Sequence, residues 1–170
     1  MIAELGRYLI ALALLASFVQ MLAAWRGADQ GGRGAFAEAG RVASEIGMLA
    51  AGAAMVLLIA SFLRSDFSIA YVAANSSVDK PLAYKIAASW GGHEGSMLLW
   101  CLILSIFGYG LARLGPQEPG LRARAVSFQG LLQTLFYGFL AFASNPFERV
   151  FPVPLQGAEL NPILQDPLLV

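Results

Sequence analysis

The chain has 170 residues, 58% of them hydrophobic and 13% charged, and its 11 basic and 11 acidic side chains cancel. A mean hydropathy of +0.64 places it with polytopic membrane proteins rather than with soluble domains. Zero net charge supplies no basic stripe for nucleic acid, and the sole cysteine, Cys101, excludes an internal disulfide, a Cys-x-x-Cys redox pair and a Cys-x-x-Cys-His haem attachment site.

Four apolar runs approach the roughly 20 residues that cross a bilayer core. They are Tyr8–Trp25, Ile46–Leu63, Met97–Leu111 with its upstream turn (about 95–113 in all) and Val126–Ala143. In lipid the backbone must satisfy its own hydrogen bonds, and no run shows the alternation of a barrel strand, so the expected fold class is all-α with four transmembrane helices. The first run follows Arg7 and ends near Ala23 and Ala24, as a leader peptide would. Its apolar stretch exceeds the roughly 7 to 15 residues of a leader and three more spans follow, so it reads as a retained helix.

The first connector, Gly27 to Gly40, holds five glycines with Asp29, Gln30 and Glu38, and is expected to be a flexible cytoplasmic loop. The second, residues 64–94, mixes aromatic and polar side chains and is expected to be ordered. Within it, Asp79-Lys80-Pro81 predicts a short helix with Pro81 in its first turn and Asp79 as the capping carboxylate. After the fourth span, residues 144–170 are too rich in proline for a helix and predict an extended tail with turns at Asn145-Pro146 and Asn161-Pro162. The chain stops on Leu168-Leu169-Val170, which suits the start of another apolar run and leads us to expect a longer protein.

If all four spans insert, one side carries Arg26, Arg33, Arg41, Arg113, Arg122 and Arg124 in compact segments, and the other carries Arg7, Arg64, Lys80, Lys85 and Arg149. The positive-inside rule then places the N-terminus, the 64–94 loop and the tail in the periplasm.

The third span opens on Trp90-Gly-Gly-His93-Glu94-Gly-Ser96, which sets the only histidine and an acid at the edge of an apolar run. Such a pair near the bilayer boundary costs free energy unless it binds, pairs or faces water. With Gly92 to Ser96 as a first helical turn, His93, Met97, Trp100 and Leu104 form one stripe and Glu94, Leu98, Cys101 and Ser105 its neighbour. The first stripe offers an imidazole, a thioether and an indole to a flat apolar ligand such as a porphyrin, and Gly91 and Gly92 would let it approach. Plainer roles compete: Trp90 and Trp100 as interface anchors, Met97 as a gap filler, His93 as a hydrogen-bonded structural residue, and Glu94 as an acid favoured by the helix dipole. No His-Glu-x-x-His zinc motif, phosphate-binding glycine loop or nucleophile elbow is present, so the chain is not expected to be an independent enzyme.

Five ordered blocks resemble a known family: Ser65-Asp66-Phe67-Ser-Ile-Ala-Tyr71, Tyr84-Lys85, Trp90 to Trp100, Ser144-Asn-Pro-Phe147 and Leu160-Asn-Pro-Ile-Leu-Gln-Asp-Pro167. Together they are similar to the N-terminal part of the CcmF/NrfE family, the large haem-lyase subunits of bacterial cytochrome c maturation. The resemblance implies a multi-pass inner-membrane component that takes haem from a CcmE-like chaperone, works with CcmH- and CcmI-like subunits, and promotes its attachment to apocytochrome c. Haem, in transit or as a structural b-type group, is the implied cofactor of the full-length protein. The family's tryptophan-rich haem segment and most of its ligand histidines are absent here, and a His-Pro-Pro motif is expected beyond Pro167. A fragment lacking these is not expected to attach haem alone. The family motif carries no iron-ligand role over to His93, so no metal ligand is assigned. The residues expected to help shape a haem-facing vestibule are Trp90, Gly91, Gly92, His93, Glu94 and Trp100.

Two other readings are open to the sequence. One is a transporter or proton-translocating subunit with Glu94 as a relay acid. The other is a structural scaffold that binds neighbouring subunits through a small-residue face at Gly47, Ala51 and Ala54.

Overall fold

A computed structural model describes residues 1–158. Its helices are α1 (Ile2–Asp29), α2 (Ala35–Leu63), α3 (Ala70–Asn75), α4 (Leu82–Gly91), α5 (His93–Leu114) and α6 (Pro119–Phe142). Helices α1, α2, α5 and α6 are each long and apolar enough to cross a membrane, as the four hydrophobic runs require. Helix α1 packs on α2 and α6, and α5 closes the ring by packing on the same two. The fold is all-α, with one isolated antiparallel bridge, Ile69 to Arg149, among the described residues.

Small side chains set the spacing of this ring. Ala13 and Ala54 are wholly buried and Ala51 nearly so, with Ile10, Leu58, Leu98 and Leu140 filling the space between them. Lipid offers no hydrophobic drive for helices to associate, so close backbone approach and interhelical hydrogen bonds carry the packing. Gln20 Nε2 donates to the Val126 carbonyl at 3.0 Å and Ser127 Oγ to the Met21 carbonyl at 2.8 Å, tying α1 to α6 in both directions. Gly47, Ala51 and Ala54 lie inside the ring rather than on an outer face, so they are not available to a neighbouring subunit as the scaffold reading required.

The helices overrun the hydrophobic stretches that announce them, and the first connector is therefore mostly helical. Only residues 30–34 form a loop, where Gly31, Gly32 and Gly34 take φ of 79°, 75° and 90°. Gly27 and Gly40 serve contact rather than flexibility. A Cβ on Gly27 would stand 2.7 Å from the Ala37 backbone nitrogen, and one on Gly40 would stand 2.9 Å from Ala24 Cβ. Composition registers five glycines as flexible; three bend the chain and two let α1 and α2 touch.

The second connector is ordered and holds α3 and α4, but the cap expected of Asp79 does not form. Pro81 is itself the residue before α4, and no side chain caps that end. Asp79 lies two positions further back, out of reach of the free amides, and its carboxylate instead accepts from Gln156 Nε2 at 3.5 Å.

Candidate functional site

At the end of the bundle where α2 stops and α5 starts, the 64–92 connector and the segment after α6 form one ordered rim. The segment after α6 is strapped down rather than loose. The Ala70 amide donates to the Glu148 carbonyl at 2.8 Å, the Val150 amide to Ser68 at 3.1 Å, and the Ala158 amide to Ala73 at 2.7 Å. Asn145 Oδ1 accepts the Phe147 amide at 3.0 Å, the local turn that Asn-Pro predicts. That turn drives Phe147 into the core, where it is fully buried, and Arg7 Nε donates to its carbonyl at 3.1 Å. Arg149 in turn pairs with Glu4 at 2.6 Å, so α1 holds the strap from both sides.

Tyr71 organises the other half of the rim. Its ring meets Phe62 edge-on at 5.4 Å between centroids, and its hydroxyl accepts the Gly92 amide at 3.0 Å while donating to the Ala88 carbonyl at 3.2 Å. Burial pushes the phenol above the ordinary tyrosine range and the Glu94 carboxylate adds to that, while the Gly92 amide opposes both. Lys85 is buried without a carboxylate partner among the described residues; its ammonium donates to Ser65 Oγ at 2.8 Å and to the Val78 carbonyl at 3.1 Å.

The expected site residues sit along the α4 to α5 junction. Gly92 is the break between the helices, in extended backbone, and Ser96 Oγ staples the turn by donating to the Trp90 carbonyl at 2.6 Å. The space above Gly92 is not left for a flat ligand. A Cβ there would meet the Tyr71 ring at 2.7 Å, and one on Gly95 would meet the Ser89 carbonyl oxygen at 1.9 Å, so the chain fills its own gap. Gly91 alone faces open space.

His93 is exposed and stands edge-on to Phe139 of α6, with 6.2 Å between centroids and 88° between planes. Trp90 and Trp100 are 39% and 59% exposed, so with His93 they face outward, whereas Met97 and Leu104 of the same stripe are half-buried and Met97 packs against the core. The neighbouring stripe turns inward: Leu98, Cys101 and Ser105 are buried, and Glu94 is half-buried in the first turn of α5. The structure thus brings Trp90 to Glu94 together at one corner, with Trp100 further along the same outward face.

No protein-family model matches the chain, but individual relatives do. It is 43% identical to the cytochrome c-type biogenesis protein ccl1 of Rhodobacter capsulatus, over 98% of this chain and 26% of that protein. It is 39% identical to the cytochrome c-type biogenesis protein CcmF of Escherichia coli, over 100% of this chain and 26% of CcmF. It is also 39% identical to NrfE of Haemophilus influenzae, over 98% of this chain and 26% of NrfE. A solved structure, the cytochrome c haem lyase CcmF, superposes with a TM-score of 0.81 and 33% identity, covering 87% of this chain and 25% of that one.

The chain belongs to the CcmF/NrfE family. It spans about a quarter of the length of the relatives it matches. These relatives are cytochrome c-type biogenesis proteins, and with four membrane-length helices the chain is a multi-pass bacterial membrane protein.

Four of the five blocks that resemble the CcmF/NrfE family converge on the rim: Ser65 to Tyr71, Tyr84-Lys85, Trp90 to Trp100 and Ser144 to Phe147. The fifth, Leu160 to Pro167, lies outside the described residues. Sequence reasoning missed the partners of these blocks on α1. Nothing near Gly6 or Arg7 signals that they seat Phe147, since that pairing spans most of the chain.

Proposed function

We propose that, within the full-length protein, this chain forms part of the periplasmic surface on which haem is presented to apocytochrome c for covalent attachment. The convergence of four family-like blocks on one rim, in a fold shared with the haem lyase CcmF, is the observation that supports this. Haem is here a substrate in passage. The outward imidazole of His93, the Phe139 ring beside it and the indoles of Trp90 and Trp100 suit one face of a porphyrin, and the opposite face belongs to the remainder of the protein. The iron-porphyrin supplies the reactive vinyl groups; the residues of this chain orient it and exclude water.

In this reading the rim faces the periplasm from the inner membrane, and a CcmE-like chaperone, CcmH- and CcmI-like subunits and the apocytochrome approach it from that side. Glu94 sits in the first turn of α5 rather than at mid-span, which fits a dipole-favoured acid better than the relay of a transporter.

The test is maturation of a reporter c-type cytochrome by the full-length protein carrying Trp90→Ala, His93→Ala or Trp100→Ala, alongside its abundance and Soret absorption. Lower maturation at unchanged abundance is expected. Wild-type maturation by all three variants would overturn the proposal, as would ion flux in liposomes without haem.

A further inference from the structure

The end of the bundle opposite the rim carries a second site that haem handling does not use. All four long helices meet there around a pocket of 340 Å³ whose mouth is lined by Arg33, Arg41, Arg113 and Arg122, with Glu38 as its one acid. Its floor is apolar and small, formed by Ala24, Ala112 and Val126, which also pack together as a separate hydrophobic cluster.

The charges are not balanced. Arg41 Nε donates to Glu38 at 2.9 Å, and Arg113 is held at 2.7 Å by Glu45, which stands outside the pocket, so these two are neutralised. Arg122 donates only to carbonyls, those of Pro116 at 2.8 Å and Gly115 at 3.3 Å, which satisfy its N–H groups without cancelling its charge. Arg33 has no hydrogen-bond or ion-pair partner among the described residues. Two guanidinium charges without counter-charges thus share one concave site. The fold holds the backbone that carries Arg33, because a Cβ on Gly32 would strike the Pro119 carbonyl at 2.0 Å, setting this loop against the first turn of α6, while the Arg33 side chain itself is exposed.

We infer that this pocket binds one phosphate-bearing anion, held by Arg33 and Arg122. Planar guanidinium groups match the tetrahedral oxygens of phosphate in paired hydrogen bonds. The pocket's volume of 340 Å³ suits a headgroup-sized ligand. The phosphate belongs either to a phospholipid headgroup or to a small soluble anion that reaches the bundle end from water.

The two sources separate in two arms. Calorimetry of the full-length protein in an uncharged maltoside detergent, with inorganic phosphate and then pyrophosphate, reads the soluble source. Native mass spectrometry from nanodiscs of phosphatidylcholine doped with phosphatidylglycerol reads the lipid source. A single saturable site is expected in one arm, weakened about tenfold by Arg33→Gln and again by Arg122→Gln, and unchanged by Arg26→Gln, which lies at the same end outside the pocket. Arg33→Gln removes no contact within the protein, so a folding defect does not obscure it. Absence of saturable binding in both arms overturns the inference. So does equal weakening by Arg33→Gln and Arg26→Gln, which would mark diffuse surface attraction.

Discussion

A Cβ on Gly6 would lie 2.5 Å from the ring of Phe147, although the two residues stand at opposite ends of the chain. The glycine is the seat for the aromatic ring that anchors the strap after α6. Gly6→Ala must therefore displace Phe147 or part α1 from the strap, and overpacking of this kind costs about 1–3 kcal/mol. We expect a lower midpoint of thermal unfolding in detergent and faster proteolysis between residues 143 and 158. An unchanged midpoint with an unchanged cleavage pattern would show that the ring relocates freely.

Tyr71→Phe isolates the hydrogen bonds at the α4 to α5 break. The ring against Phe62 stays, while the Gly92 amide loses its acceptor and the Ala88 carbonyl its donor. Leaving a buried backbone group unpaired costs about 1–3 kcal/mol, and the half-buried Gly92 and Ala88 groups should cost toward the lower end of that, concentrated at the turn that carries Trp90 and His93. Hydrogen exchange should quicken at residues 88–96 and stay slow in α1 and α2. Uniform exchange across the bundle would refute a local role.

The same phenol sets an alkaline limit. Burial, with help from Glu94, holds the folded-state pKa of Tyr71 above its ordinary value of 10.0, so the folded protein keeps this proton more tightly than the unfolded chain does. The stability tied to that proton is complete below 10.0 and is lost as pH rises through the folded-state value. The wild type should accordingly lead Tyr71→Phe by a constant margin in unfolding midpoint at neutral pH, and by a shrinking one at strongly alkaline pH. A margin independent of pH would mean the phenol does not titrate differently on folding.

Hydropathy reveals the four long helices because the lipid requirement acts on every residue of a span, and residue by residue it is local. It does not reveal where they end. Helix α2 begins at Ala35, eleven residues before the apolar run at Ile46, since a polar helical turn in water satisfies its backbone as well as a buried one. The rim was legible in part: an ordered connector, a turn at Asn145-Pro146, and a helix beginning at about Gly92. The filling of the glycine gap by Tyr71 and the seat of Phe147 under Gly6 were not, because both depend on partners that no local pattern encodes. The inward turn of the Cys101 stripe and the outward turn of His93 and Trp100 were likewise undetermined, as both stripes are apolar enough for either environment.

Cysteine labelling tests the orientation on which the haem proposal rests. Cys101 is completely buried and its thiol is shielded, so new cysteines report against a quiet background. Val78, on the rim connector, is 55% exposed. Val78→Cys in cells should react with a membrane-impermeant maleimide applied from the periplasm, whereas Gln117→Cys, in the loop at the arginine-rich end, should react only after permeabilisation. The reverse pattern would place the rim in the cytosol and remove it from the path of periplasmic haem.

Inside the bundle, one carbonyl takes two donors from another helix. The Leu104 oxygen accepts Gln129 Nε2 at 2.9 Å and Gln133 Nε2 at 3.0 Å, joining α5 to α6 in a region where water is scarce. With two donors on one acceptor, either can be lost without leaving that carbonyl unpaired. Interhelical hydrogen bonds within membranes are worth about 0.6 kcal/mol on average, so Gln129→Leu and Gln133→Leu should each cost no more than about that. Because α5 gives the Leu104 carbonyl a further donor, the amide four residues on, the double variant leaves no bare acceptor and should cost about the sum of the singles. Unfolding midpoints of the four proteins in one detergent make the comparison. A double-variant cost well above that sum would show that the two amides act as one unit on the shared acceptor.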